Sequence, residues 1–255
     1  MKDEGIENHR TVSRDEWLAA RKGLLEKEKQ FTRLQDELNA ERRSLPWVKV
    51  SKEYVFEGPN GKETLRDLFE GRSQLIVYHF MFAPEGSAGC PHCSLRADGF
   101  NGINVHLKER DVTMIAVSRG PYEKLAAYKE RMGWGFKWVS SGNSDFNFDF
   151  HVSFKPEEAD GEVYYNYEMG EFQSDEMPGV SVFIKDASGA IFHTYSAYAR
   201  GLDILAGAYN FLDLVPKGRD EAELPWSMAW VRRHDEYEDA QPSSCCGSHQ
   251  QTDAA

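Results

Sequence analysis

The chain has 255 residues, 40% of them hydrophobic, and 42 Asp and Glu against 30 Lys and Arg give a formal net charge of −12. This is the composition of a soluble globular protein with one domain plus additions, or two small domains. The acidic excess repels phosphate backbones and anionic lipid surfaces, and no local basic patch offsets it, so nucleic acid and membranes are excluded as partners. The longest apolar stretch, residues 75–83, falls well short of the ~20 residues needed to cross a bilayer. The opening Met1-Lys2-Asp3-Glu4-Gly5-Ile6 carries acids where a secretory signal carries basic residues, so a reducing, cytoplasmic setting is expected. In that setting the cysteines at 90, 93, 245 and 246 read as catalytic or metal-binding before they read as a disulfide framework.

Ser13-Arg14-Asp15-Glu16 has the form of a capping box, in which the serine and the glutamate each satisfy a free backbone donor at a helix start. The helix is expected to run to about residue 44. Trp17, Leu24, Phe31 and Leu38 recur every seven residues, and Leu18, Leu25 and Leu34 widen the stripe amid dense charge. A coiled-coil dimer also wants apolar residues three or four positions further on, where Ala20, Lys27 and Glu28 stand. Packing onto its own domain is therefore expected, with a homodimer left open.

Residues 54–57 read as a strand entering the Gly58-Pro59-Asn60-Gly61 turn, and residues 65–69 as a short helical piece. Residues 74–82 are apolar at nearly every position, as in a central strand buried on both faces. Helices are expected at 93–110 and 121–132 and strands at 112–117 and 136–139, an alternation that gives an α/β fold. Residues 152–177 are acidic and tyrosine-rich without a clear period, and read as an insertion or lid before the last two strands. Pro178 opens a strand at 180–185, the turn at 186–189 leads to another at 190–195, and residues 201–214 form a closing helix. Trp226, Trp230 and Tyr237 read as an apolar strap, and the small polar residues after it as a disordered tail. The expected organisation is a helical extension over 1–46, a central domain over 47–216, the strap over 217–237 and the tail over 238–255.

The chemistry concentrates in Cys90-Pro91-His92-Cys93, directly after the buried strand and at a helix start. A C-x-x-C pair so placed is a redox motif. Cys90 sees the positive end of the helix dipole and has His92 as a cationic neighbour, so its thiolate is favoured and it is the expected nucleophile. Cys93, one turn later on the same face, is the expected resolving thiol. Pro91 and His92 tune the pair. A zinc site would need two more ligands at a plausible spacing, and the folded region offers no second pair, so no metal and no dissociable cofactor is called for. A non-catalytic module holding a metal through these cysteines remains an alternative. Cys245 and Cys246 could reach Cys90 from a flexible tail and pass electrons, join a soft metal, or sit idle, and His79 reads as a buried, hydrogen-bonded residue before a tuning partner.

With these residues the chain resembles the thioredoxin superfamily, in which a strand, a C-x-x-C helix start and a later proline before a strand form one site. The resemblance implies a cis bond before Pro178, with Pro178 and Gly179 lining the groove for a protein or small-molecule disulfide. The capped N-terminal helix, Trp47, the Gly-Cys-Pro-His-Cys-Ser site and Trp230-Val231-Arg232-Arg233-His234-Asp235-Glu236-Tyr237 are similar to a bacterial thioredoxin-like family catalogued only as a domain of unknown function. The Cys-Pro-His-Cys quartet is that of strongly oxidising periplasmic thiol oxidases, which implies a low nucleophile pKa. Peroxiredoxins, with Pro-x-x-x-Thr/Ser-x-x-Cys and a similar strand order, supply the second enzyme reading. Ser87 fits that pattern, Ala83 stands in the proline place, and Arg119 and Arg200 are candidates for a peroxide-polarising arginine.

Overall fold

The computed structural model describes residues 9–155, 161–171 and 174–238, so the expected tail with Cys245 and Cys246 lies outside the described residues. Helix α1 (Arg14–Ser44) begins at its capping box, where Ser13 Oγ accepts from the Glu16 backbone N–H and the Glu16 carboxylate accepts from the Ser13 N–H at 3.1 Å. None of its residues is buried, and Phe31 is 67% exposed, which overturns the expectation that α1 packs on its own domain. A helix of 31 residues is about 46 Å long, and α1 meets the sheet at its last turn, where the Arg42 guanidinium lies 4.8 Å from the Tyr195 ring centre. Its support is local, from ion pairs such as Arg21–Glu28 and Lys29–Glu26, both at 2.8 Å.

Next come β1 (Val48–Lys49) and the hairpin of β2 (Val55–Gly58) and β3 (Gly61–Thr64), whose turn needs Gly61 at φ +87°. A single 3-10 turn, Asp67–Phe69, leads into β4 (Gln74–His79). The helix expected over 93–110 is two helices, α2 (Pro91–Ala97) and α3 (Phe100–Glu109), because Gly99 breaks the run. Then follow β5 (Val112–Ser118), α4 (Tyr122–Arg131), β6 (Lys137–Ser140) and α5 (Phe146–Asp149). The acidic segment holds a hairpin of β7 (Glu162–Tyr165) and β8 (Glu168–Glu171), with Val163 and Tyr165 packed on Val152, Phe154 and Tyr198. Strands β9 (Gly179–Lys185) and β10 (Ile191–Tyr198) end the sheet. The closing helix is a 3-10 segment, Ala199–Leu205, followed by α6 (Gly207–Leu212), with Gly201 and Gly207 weakening a continuous run.

Among the described residues the main sheet has the order β1-β10-β9-β4-β5-β6-β2-β3. β4, β5 and β6 are parallel, while β9 runs antiparallel to β4 and β10 antiparallel to β9. This arrangement, with the cysteine helix leaving the middle strand, is a thioredoxin-like α/β fold. Side chains alternate across β4, so Leu75 and Val77 enter one core with Ile115, Val117 and Phe183. Tyr78 enters the other, with Phe100, Trp134, Trp138 and Cys93. The register sets the site: His79 faces Gly179, so the chain leaving β4 toward Cys90 and the chain arriving from Pro178 share one sheet edge.

His79 itself points away from that edge. It is 1% exposed, its Nε2 lies 2.9 Å from Ser181 Oγ, and Ser181 in turn meets Ser196, which bonds His193 at 2.8 Å. Burial first, and the neighbouring His193 second, lower its pKa to about 3, so the ring is neutral at physiological pH. It is the buried, hydrogen-bonded residue the sequence suggests.

Candidate active site

Cys90 caps α2 with φ −58° and ψ 130°, and Pro91 takes the first helical position, where its missing N–H removes no hydrogen bond. The Ser94 N–H and Oγ both donate to the Cys90 carbonyl at 2.9 Å, and the Cys90 N–H donates to Met81 at 3.1 Å, so the backbone at the nucleophile is fixed on both sides. Cys93 is fully buried, Cys90 is partly exposed, and both are free thiols.

The electrostatics divide the pair. A hydrogen bond from Cys93 is the largest influence on Cys90; with His92 and the Cys93 backbone N–H it overcomes the cost of burial and lowers the thiol to about 4. Burial first, and then the bond to Cys90, push Cys93 well above the usual thiol range. His92 is raised, chiefly by its bond to Cys90, and its Nε2 lies 3.2 Å from the Met228 carbonyl. At neutral pH the arrangement is a thiolate at Cys90, held by a thiol at Cys93 and an imidazole at His92.

The segment after residue 217 does more than strap the domain. Arg233 donates to the Gly89 carbonyl from Nε at 3.1 Å and from Nη2 at 2.8 Å, fixing the residue just before the nucleophile. His234 Nδ1 and Trp134 Nε1 both meet Asp98 Oδ1, at 2.7 and 2.8 Å, where α2 ends. Arg131 holds Asp235 at 2.7 Å and Glu236 at 3.0 Å. Trp226 is 63% exposed and Trp230 donates to Glu221 at 2.7 Å, so the strap is ionic and hydrogen-bonded rather than the expected apolar one. Arg233 had a signal in the sequence, the dense Arg-Arg-His-Asp-Glu cluster, but nothing local tells which backbone it grips.

Gly89 leaves no room for a side chain: a Cβ would lie 2.6 Å from the Phe80 ring and 2.9 Å from that of Tyr128. A Gly89→Ala variant should lose about 1–3 kcal/mol in urea unfolding, and an unchanged midpoint would mean that this turn yields freely.

Pro178 approaches from the start of β9 and, with Cys90, His92, Cys93 and Arg96, lines a cavity of about 810 Å³. Among the described residues no peptide bond is cis, so the expected cis bond before Pro178 is absent. The turn is held by the Met177 N–H on the Val152 carbonyl at 3.0 Å and by Tyr165 donating to the Pro178 carbonyl at 2.7 Å. Gly179 is not among the cavity-lining residues; a Cβ there would meet the Tyr198 ring and Val152 at 2.9 Å, so its small size serves strand packing. A second cavity of about 760 Å³, at the foot of α1 between Val48, Tyr167 and Tyr195, holds no thiol.

Of the two candidate arginines, Arg200 lines the thiol cavity with a largely exposed side chain, and Arg119 stacks 4.6 Å from the Phe148 ring centre with its Nε buried and unpartnered. Glu176, which the sequence does not single out, is 4% exposed, and burial raises its carboxyl to about 7 against the pull of Arg119. Among the described residues no three His, Cys, Asp or Glu side chains gather as metal ligands, and no helix is long and apolar enough to cross a membrane.

A family model for bacterial proteins of unknown function, DUF899, matches residues 6–237, which takes in the capped helix, both cysteines and the strap. The chain belongs to the DUF899 family. No curated protein matches it. Among solved structures it is similar to the peroxidoxin BcpB of Mycobacterium tuberculosis, at 12% identity and a TM-score of 0.42, covering 65% of this chain and 94% of that one. It is also similar to peroxiredoxin Q of Xanthomonas campestris, at 16% identity and a TM-score of 0.44, covering 65% and 96%.

Proposed function

We propose that this DUF899 protein is a dithiol–disulfide oxidoreductase in which Cys90 is the nucleophile and Cys93 the resolving thiol. The observation that carries the reading is the division of the pair into a stabilised thiolate at the cavity wall and a buried, proton-holding thiol one helical turn away. The Cys90 thiolate attacks a disulfide sulfur, forming a mixed disulfide and expelling one thiolate of the partner. Cys93 gives up its proton, attacks Cys90 Sγ and releases the second half, so two electrons pass from protein to partner. Pro178 supplies one wall of the groove, and His92 loses its thiolate partner as the disulfide forms.

A thiolate stabilised in the reduced form makes the pair a strong oxidant, because oxidation gives up that stabilisation. Titration of the full chain against glutathione should show one two-electron couple, nearer to about −120 mV than to about −270 mV. Alkylation of Cys90 should already be near its plateau rate at pH 6. A pair that forms no disulfide, or alkylation that rises only above about pH 8, would sink the reading.

A further inference from the structure

The cavity beside Cys90 is lined by three arginines and three carboxylates, and their pairing is uneven. Arg200 holds Asp203 at 3.1 Å, and Arg219 holds Asp213 at 2.8 Å and Asp203 at 3.5 Å. Glu221 takes donors from Tyr209, from the Met228 N–H at 3.0 Å and from Trp230 at 2.7 Å. Arg96 is left over. It is 6% exposed, has no carboxylate partner among the described residues, donates from Nη1 to the His92 carbonyl at 3.1 Å, and keeps its Nε buried with nothing to donate to. Tyr78, Cys93 and Asp203 act on it electrostatically, but no carboxylate among the described residues pairs with it directly, and a buried guanidinium lining a cavity beside a nucleophile gains a direct partner when a ligand brings one.

We infer that the cavity selects small disulfides that carry a carboxylate, with Arg96 as the residue that binds it. The inference rests on the disulfide-exchange reading and adds the class of substrate. Cys90 Sγ bonds to one sulfur of R–S–S–R as the S–S bond breaks and RS⁻ leaves. Cys93 passes its proton to solvent or to RS⁻ and attacks Cys90 Sγ, releasing the second RS⁻. An added dithiol then reduces the Cys90–Cys93 disulfide and closes the cycle, itself becoming a disulfide.

The test uses three probes with the full chain: dithiodiglycolate, which is anionic, bis(2-hydroxyethyl) disulfide, which is neutral, and cystamine, which is cationic. Each rate is divided by that of free dithiothreitol with the same disulfide, which cancels intrinsic reactivity. A net charge of −12 disfavours the dianion at long range, so a preference for it reports a local cation. The wild-type chain should prefer the anionic over the neutral probe by about tenfold or more. Arg96→Met should erase that ratio and Arg96→Lys should keep part of it. Equal normalised rates in the wild-type chain overturn the inference whether or not the variants fold. A ratio left intact in Arg96→Met, with all three probes slowed alike, also overturns it, because Arg96 would then act through Cys93. Failure of the exchange reading is a different result, the absence of turnover with every probe.

The solvent-facing side of α1 carries a second proposal, independent of the thiols. Seven large apolar residues, Trp17, Leu18, Leu24, Leu25, Phe31, Leu34 and Leu38, are each 39–67% exposed, and no described part of the chain covers them. Five of them, Trp17, Leu24, Phe31, Leu34 and Leu38, fall within about 100° of one another around the helix, and at roughly 100 Å² each they offer ~500 Å² per chain, so two copies face to face would bury ~1,000 Å², the lower bound of a specific interface. We propose that α1 pairs with α1 of a second copy. Sedimentation of the full chain should give a dimer, and Phe31→Lys should give a monomer with unchanged near-ultraviolet dichroism of the domain. A monomeric wild-type chain, or a dimer that survives Phe31→Lys, overturns the proposal.

Discussion

A Cys90→Ser chain is expected to lose disulfide exchange by at least about 10³-fold, and its unfolding midpoint at neutral pH should fall because the stabilised thiolate is gone. The hydroxyl is about the size of the thiol but is not ionised at neutral pH, so the bonds from Cys93 and His92 have no anion to stabilise. Cys93→Ser should behave differently. Cys90 still attacks, but nothing displaces the bound half, so a mixed disulfide accumulates and appears in intact-mass spectra as the chain plus one thiol. Cys93→Ala, which removes the donor that serine would keep, should also raise the nucleophile's pKa, because the bond from residue 93 is the largest influence on Cys90, and move the alkylation midpoint toward neutrality. Turnover preserved in Cys90→Ser, or a Cys93→Ser chain that never retains a partner, would refute the assigned roles.

The second large effect is on acid stability and is read most directly through His79. Its ring titrates near 3 when folded and near 6.5 when unfolded, so between those values the unfolded chain binds the extra proton. Stability contributed by the neutral ring is therefore full above about pH 6.5 and is lost as pH falls, by about 3 kcal/mol down to pH 4. His193, also lowered by burial, adds in the same direction. Glu176 acts oppositely: its carboxyl, raised to about 7, takes up a proton in the folded state first, so acidification through that window favours folding. The Cys90 thiolate, held at about 4, also loses its stabilisation as pH falls, so Glu176 offsets only part of the loss and the wild-type profile alone does not isolate His79. His79→Gln removes its contribution. The stability difference between variant and wild type, from urea unfolding at pH 7, 5 and 4, should shift by about 3 kcal/mol in favour of the variant as pH falls. A difference independent of pH would show that His79 does not titrate abnormally.

The central strand, the cysteine helix start and the α1 cap were legible because each is written locally: an apolar run, a C-x-x-C after it, a serine three residues before a glutamate. Pro178 could be paired with that motif, but the cis bond expected before it is absent, and Tyr165 and Val152, which hold its turn, are linked to it by no period in the sequence. The helix predicted over 93–110 divides where Asp98 serves as an anchor for Trp134 and His234, contacts made from distant segments. The hairpin at 162–171 escaped because its alternation is only four residues long per strand. For α1 the stripe was read correctly and its destination was not, since a heptad pattern shows that an apolar side exists and leaves its cover unspecified. Arg96 is invisible for the same reason, being distinguished by the partner it lacks, while the charged cluster flags Arg233 but not the carbonyl 144 positions away that it holds.

That separation also orders events in time. The contacts that finish the thiol site join residues 89–98 to residues 228–234 across 136 to 144 positions, so they can form only after that later stretch has been made. The sheet, by contrast, can close once β9 and β10 have left the ribosome. During the remaining part of translation the nascent chain carries a folded sheet whose Gly89 is not yet gripped and whose His92 lacks its Met228 partner. These distant contacts come after the sulfur is already activated, since the bond from Cys93 that most lowers Cys90 lies three residues away; what they add is a fixed Gly89 and a held His92.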